Sequence, residues 1–511
     1  MGSAFFINGE HARGLQPTRR WVRAFAWAVA CIALLNVLCF VLRSTNPVIR
    51  SDAWYTLDVF LRKAMNGSLG FADFFTRRYV DDHGQPLVKL VLLLEWRFFD
   101  LDYAVEAVLG VTAAAACALI LHRVVMGTNE GARADTRRLV AWVAMAAVLF
   151  SLNASGTWAW PLAAVGYVTI MLVMLYILVV WHAWQNHRYL LLIVATILLC
   201  AVADDVSLIA EISVLMALLV LVPSSTAQSR ASIGKVILVV LICTLLIRVA
   251  YAFSPLLDST PGAPLSERLA LLFGYLRKGD GWQWIVIPLS LSVASNDPFN
   301  GPSAQTWAVV QEALAGCLLI AHVAFWWRAL NGRHNVSTFM AVCLMLFSYG
   351  LLAGIILVRV PHFGSSYLSQ DRYVALYQFN LIALLLMWAG ASSSERPHSS
   401  WRRWLALRVP MAGCVLLLLL QIPLAQGAWQ ERRYSLPYYG RMATQIGQLA
   451  MDPTQTRDCL PELVVCHWPL ERRRAALDLL RSQRLNVFSA RVQAWHRFLP
   501  HWPTDTKGHA P

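Results

Sequence analysis

The sequence predicts an all-α polytopic transmembrane helix bundle of about eleven spans. Three observations carry this. The 511 residues are 58% hydrophobic and 14% charged, with a mean hydropathy of +0.52, whereas a soluble protein carries about a quarter charged residues. Several apolar runs reach the length of about 20 residues that crosses a hydrocarbon core of about 30 Å. The arginine-dense short loops all fall on one side when the runs are counted alternately, as the positive-inside rule requires.

Residues 1–20 read as a polar arm ending in Arg19 and Arg20. The first span, 21–42, is too long for a signal-peptide core and lacks a small-residue cleavage site, so it reads as an anchor. Arg13, Arg19, Arg20 and Arg23 put the N-terminus in the cytoplasm. The loop 43–100 then lies outside. Within it, 53–65 reads as an interfacial helix ended by Asn66-Gly67. The apolar stretch 86–99 is too short to span and reads as a helix along the interface.

Spans two to four are expected at about 103–121, 139–152 and 162–181. Arg123, Arg133, Arg137 and Arg138 lie at the inner exit of the second. Residues 153–161 form an outside turn that places Trp158 and Trp160 at headgroup depth. Spans five and six, about 190–203 and 206–221, meet at Asp204-Asp205, and span seven covers about 236–253. Residues 282–294, interrupted by Pro288, read as re-entrant or interfacial. Spans eight to eleven are expected at about 304–327, 336–358, 373–388 and 409–425. The chain thus divides into a transmembrane part, 1–425, and a polar tail, 426–511, on the outer side.

The net charge of +14 would suggest nucleic acid in a soluble protein. Here the arginines are topogenic, and no nucleic-acid partner is implied. Eight of the ten cysteines lie in apolar runs, where a thiol packs as a small hydrophobe; only Cys459 and Cys466 lie in a polar region. A bridge between those two and a pair of free thiols both fit the sequence. There is no zinc-type spacing, Walker loop, glycine-rich dinucleotide fingerprint or HExxH.

The chemistry-bearing residues concentrate in the first loop. Asp52, Asp58, Asp73, Asp81 and Asp82 stand there beside Arg62, Arg77, Arg78, Lys89 and His83. Asp52, at the outer surface, is placed to take a proton from an attacking hydroxyl; its plain alternative is a helix N-cap. Asp81, Asp82 and His83 precede the proline that starts an amphipathic helix, whose free amides suit a phosphate. Lys89, Arg77 and Arg78 could bind the same group. A capped interfacial helix with snorkelling cations is the alternative. A later stretch, Gln370-Asp371-Arg372-Tyr373, puts a permanent guanidinium at the outer end of span ten, suited to a departing phosphate. An interfacial anchor would look the same. Asp204-Asp205 fits a tight turn with a capping carboxylate, a cavity lining or a cation site. Glu211, Arg248 and Glu312, inside spans, should face partners or cavities.

An acidic residue soon after span one, followed before span two by Asp82-His83-Gly-Gln-Pro86-Leu87-Val-Lys89, resembles the GT-C superfamily of membrane glycosyltransferases. Protein O-mannosyltransferases and the aminoarabinose transferases of lipid A are members. The chain also resembles a group of bacterial multispanning proteins with Asn-Glu-His where Asp81-Asp82-His83 stand. It departs from the superfamily in having Ala53 where a second acidic residue is usual, and Gly-Gln where a second proline follows the histidine. The resemblance implies inverting transfer of a monosaccharide from a polyprenyl-phosphate donor to a lipid or glycan acceptor. Transfer would take place at the outer face of the cell inner membrane, without a nucleotide sugar; metal use varies among the members, and no metal or other cofactor is expected here. Asp52, Asp82 and His83 would be catalytic, and Arg77, Arg78, Asp81, Lys89, Arg372 and Tyr373 would bind substrate. An O-antigen ligase or polymerase and a lipid or solute transporter or flippase are the competing classes.

Overall fold

The computed structural model describes residues 17–77, 84–127, 132–224, 227–256, 264–295, 304–332, 334–391 and 400–500. Within them every regular element is helical. Ten helices are long and apolar enough to cross a membrane, so the chain is a multi-pass helix bundle. We number the principal helices α1 (Pro17–Ser44), α2 (Pro86–Phe99), α3 (Ala104–Met126), α4 (Ala132–Leu149), α5 (Gly166–Asn186), α6 (Tyr189–Leu221), α7 (Ala227–Ala252), α8 (Leu265–Arg277), α9 (Gln283–Val293), α10 (Ala304–Asn331), α11 (Val336–Phe363), α12 (Asp371–Ala389), α13 (Ser400–Met451) and α14 (Leu470–Ser482).

The expected spans map onto these helices one for one, except that five and six fall together in α6. Asp204 breaks α6 with φ 48° and ψ −127°. Cys200 Sγ comes within 2.7 Å of Glu211 Oε1, although eleven residues of straight helix would part them by about 16 Å. The two arms therefore fold back on each other at Asp204. Each arm, at about 22 Å, is shorter than a hydrocarbon core.

The bundle has two distinct ends. At one, Arg137 donates to the carbonyls of Ala389 and Ala391, Ser337 to that of Val124 and Asn335 to that of Gly390. At that end Asn335 and Thr338 form a capping box that starts α11. The other end gathers the end of α1, the turn 152–160, the start of α12 and the middle of α13.

A second layer covers that other end. Val48, Ile49, Trp54, Leu57, Leu61, Leu92 and Leu101 share one apolar core with Met442, Ala443, Ile446, Leu477, Leu480 and Val487. The first loop and the tail are thus one body. The link is α13, whose 52 residues reach about 78 Å, far more than a bilayer needs. It runs unbroken through residue 425. Asn486 sews the layer together, donating to the carbonyls of Pro47 and Leu101 at 2.6 Å each. Cys459 and Cys466 are bridged.

The stretch 53–65 is helical throughout, with a wider π turn over Leu57–Leu61, and stops at Asn66 and Gly67. Helix α2 starts at Pro86, which needs no amide partner there. It buries Val91, Leu92 and Glu95 and leaves Leu90, Leu94 and Phe98 exposed along one stripe. Pro288 lies inside α9, which is buried from Pro288 to Val293. Trp158 is fully buried and stacks on Tyr167 at 4.4 Å. It is a core residue and not the headgroup anchor expected of it, because the turn 152–160 folds inward against α12 and α13.

Candidate functional site

A cavity of about 280 Å³ opens where the bundle meets the covering layer. Its lining comes from the last turns of α1 (Phe40, Ser44), the turn 155–160, the start of α12 (Gln370, Asp371, Arg372) and one stripe of α13 (Ala428, Glu431, Arg432, Ser435, Tyr439), with Arg50 and Glu462 from the covering layer. The α13 positions recur three, four, seven and eleven residues apart, which puts them on one helix face.

Two guanidiniums share one indole. Arg50 lies 4.7 Å from the Trp160 ring and Arg372 5.1 Å from it. Arg50 also donates to Tyr439 Oη at 3.1 Å and lies over that ring. Arg372 donates to Tyr367 Oη and lies over the rings of Tyr367 and Tyr373. Among the described residues neither arginine makes an ion pair, and the Nε of each is buried without a hydrogen-bond partner. The aromatic rings hold both cations in place without neutralising them. Arg432 donates to the Arg43 carbonyl at 2.8 Å.

Three carboxylates line the same cavity. Glu462 accepts from Tyr438 Oη, and its backbone carbonyl accepts from the Ser51 amide at 2.8 Å. Asp371 abuts Gly156 so closely that a Cβ on the glycine would meet Asp371 Cβ at 2.3 Å. Glu431 is exposed to the cavity on α13. The site therefore offers anion-binding guanidiniums and proton-accepting carboxylates within one concave, mixed polar and aromatic wall.

Of the nine residues expected from the sequence, the cavity lining contains Arg372, with Tyr373 flanking it. Asp52 lies just before the helical turn Ala53–Thr56, makes no side-chain cap there, and is not in the lining. Arg78, Asp81, Asp82 and His83 lie outside the described residues. Arg77 donates through Nε to Ser254 Oγ at 3.2 Å. Lys89 is buried and donates to the carbonyls of Asp73, Phe74 and Thr76 at 3.0, 3.1 and 2.7 Å. That use of the ammonium organises the loop. Beside it, Asp73 accepts from Lys63 Nζ at 2.7 Å and from the Gly70 amide at 2.8 Å. Partial burial raises its pKa, but these bonds and the Lys63 and Lys89 charges outweigh it, leaving Asp73 below the usual carboxylate value.

Asp204 is a cap, not part of this cavity. Its carboxylate accepts from the amides of Gly84 at 2.5 Å and Gln85 at 3.4 Å, just before α2. Arg248 pairs with Asp205 at 2.9 Å and donates to the Asp204 carbonyl at 2.7 Å, bracing the fold-back. Glu211 accepts from Thr244 at 2.8 Å as well as from Cys200. Glu312 is exposed on its helix.

Sequence reasoning passed over Arg50, Glu431, Arg432, Tyr439 and Glu462, and read Trp160 only as a headgroup anchor. Arg50 stood two residues from the favoured aspartate, and Glu431 and Arg432 are the first charges after the last span. That these chain ends converge is a tertiary fact with no local signature.

No protein-family model matches the chain, and no curated protein or solved structure matches it either. The likeness to GT-C enzymes therefore rests on the residues quoted for it.

Proposed function

We propose that the protein transfers a monosaccharide from a polyprenyl-phosphate-linked donor to an envelope acceptor, with inversion, at the face covered by the tail. The observation that carries this reading is the pair of guanidiniums, Arg50 and Arg372, held on one indole with no carboxylate among the described residues bound to either. Such a pair suits a phosphate that gains charge as it leaves. The acceptor hydroxyl attacks the anomeric carbon from the face opposite the phosphate. The carbon–oxygen bond to phosphate breaks, and the electron pair departs with the lipid phosphate toward Arg50 and Arg372. The hydroxyl proton passes to a carboxylate of the cavity. We assign this to Asp371, with Glu431 beside it, in place of Asp52, which lies outside the lining. The cavity borders the bundle, so the lipid chain of a donor stays in the bilayer while its headgroup enters. The Cys459–Cys466 bridge agrees with a tail on the oxidising side of a cell inner membrane.

Deleting the gene and weighing the envelope glycans by mass spectrometry tests this. The expected result is one missing hexose- or pentose-sized unit, restored by the wild-type gene and not by Asp371→Asn. An unchanged glycan profile would overturn the proposal.

A further inference from the structure

The two guanidiniums of the cavity are carried differently. Arg372 sits in the first turn of α12, whereas residues 45–50 have no regular structure, so no helix fixes the backbone of Arg50. Ser51, next to it, takes φ 51°, a left-handed conformation that a residue with a side chain holds only where its surroundings impose it. A carbonyl from the tail meets it there: the Ser51 amide donates to the Glu462 carbonyl at 2.8 Å. Glu462 lies in a loop closed by the Cys459–Cys466 bridge. Gln445 of α13 fastens the start of that loop, donating to the Asp458 carbonyl at 2.6 Å and accepting from the Leu460 amide at 3.1 Å. Arg473 of α14 fastens its end, donating to the carbonyls of Val465 at 3.1 Å and Cys466 at 2.7 Å. Leu463 and Val465 are buried in the covering core. The Glu462 carboxylate accepts from Tyr438 Oη, and the next residue, Tyr439, accepts from the Arg50 guanidinium. The tail thus holds Arg50 twice, by the backbone through the bridged loop and by the side chain through α13.

We infer that the bridged loop 459–466 is a positioning element of the anion site: by holding the Ser51 amide it aims Arg50 at the Trp160 ring beside Arg372. This rests on the proposed reading of the two guanidiniums as the phosphate site, and adds what sets their geometry. Two cations bind one phosphate well only when both are placed before it arrives, because ordering them on binding costs affinity. Without the bridge the loop gains conformations in which the Glu462 carbonyl faces elsewhere. Arg50 then keeps its aromatic partners on the bundle and α13 but loses its fixed backbone. Arg372, carried by α12, is untouched. The loop therefore acts on one of the two guanidiniums and not on the other, which separates positioning from a general contribution to stability.

Two measurements on the purified full chain in detergent test this: hydrogen exchange at the Ser51 amide, and the affinity for farnesyl phosphate by calorimetry. In Cys459→Ala/Cys466→Ala, exchange at Ser51 should quicken about tenfold while amides in the middle of α11 keep their rates. Farnesyl phosphate should bind about tenfold more weakly. Gln445→Ala, which frees the same loop with the bridge intact, should move both readings in the same direction. A double-mutant cycle then locates the effect. Removing the bridge should cost nothing further in Arg50→Gln, and the full factor again in Arg372→Gln. Exchange at Ser51 that neither loop variant quickens would overturn the inference and leave the phosphate site standing. So would a loss of affinity as large in Arg50→Gln as in the wild type, which would mark the bridge as a general stabiliser. Failure of farnesyl phosphate to bind the wild-type chain would remove the phosphate site, and the positioning role with it.

Discussion

Arg50 and Arg372 reach the same indole ring from opposite ends of the sequence, and Gly156 determines how close the neighbouring carboxylate of Asp371 can come. Removing one preorganised donor from a developing oxyanion costs about 10²–10³ in rate. Arg372→Gln should therefore lower the proposed sugar transfer by that factor with little change in the amount of folded protein, as read from initial rates and from size-exclusion profiles. Gly156→Ala forces Asp371 and the start of α12 outward, because the obstructing atom is a Cβ and cannot swing aside. We expect a loss of about 1–3 kcal/mol of stability together with lower transfer. Thermal unfolding and rate of the same preparation check both, and an unaltered variant would show that the contact is slack. At this scale the sequence was partly legible. Gln370-Asp371-Arg372-Tyr373 stood out because charges at a span end are few. Asp52 looked equally good, since a carboxylate near the membrane surface has the same spacing whether it faces a cavity or flanks a helix.

Among the elements, α2 is the most informative, because two of its groups respond to different variables. The two amides that lead into it, Gly84 and Gln85, are held by Asp204 from about 120 residues away, so Asp204→Ala should cost about 1 kcal/mol or somewhat more. Hydrogen exchange should quicken at Gly84 and Gln85 before it does in the bundle; uniform exchange would contradict the cap. Glu95 on the same helix is buried. That burial, then the nearby Glu106 and Asp102 carboxylates, pushes its pKa well above the usual range. The folded chain holds this proton where the unfolded chain has lost it, so the carboxyl weakens the fold as pH rises above about 4.3. Glu95→Gln should raise the melting temperature at mildly alkaline pH and leave it unchanged in acid. A gain of the same size at both would contradict the assignment. Helix positions were readable from apolar runs because lipid imposes them. The fold-back in α6 was readable too, from two adjacent aspartates between short runs. What α2 rests against was not, since its capping residue belongs to a distant turn.

At the scale of the whole molecule, the first loop and the tail form one layer over one end of the bundle, joined by a helix that passes through both. Composition and the alternation of arginines made the bundle legible. They could not show that a polar tail of ordinary composition completes the core of a loop almost 400 residues earlier, as the Asn486 bonds to Pro47 and Leu101 do. The cavity exists because these two layers meet, and its cations and carboxylates come from both. The most direct test of the account is therefore made on the intact chain in proteoliposomes. Radiolabelled polyprenyl-phosphate sugars are supplied with envelope lipid acceptor, and release of free polyprenyl phosphate is measured. The account predicts release with one sugar in the wild type, a fall of about 10²–10³ in Arg372→Gln, abolition in Asp371→Asn and survival in Asp52→Asn. Release that persists in Arg372→Gln and Asp371→Asn alike would contradict it.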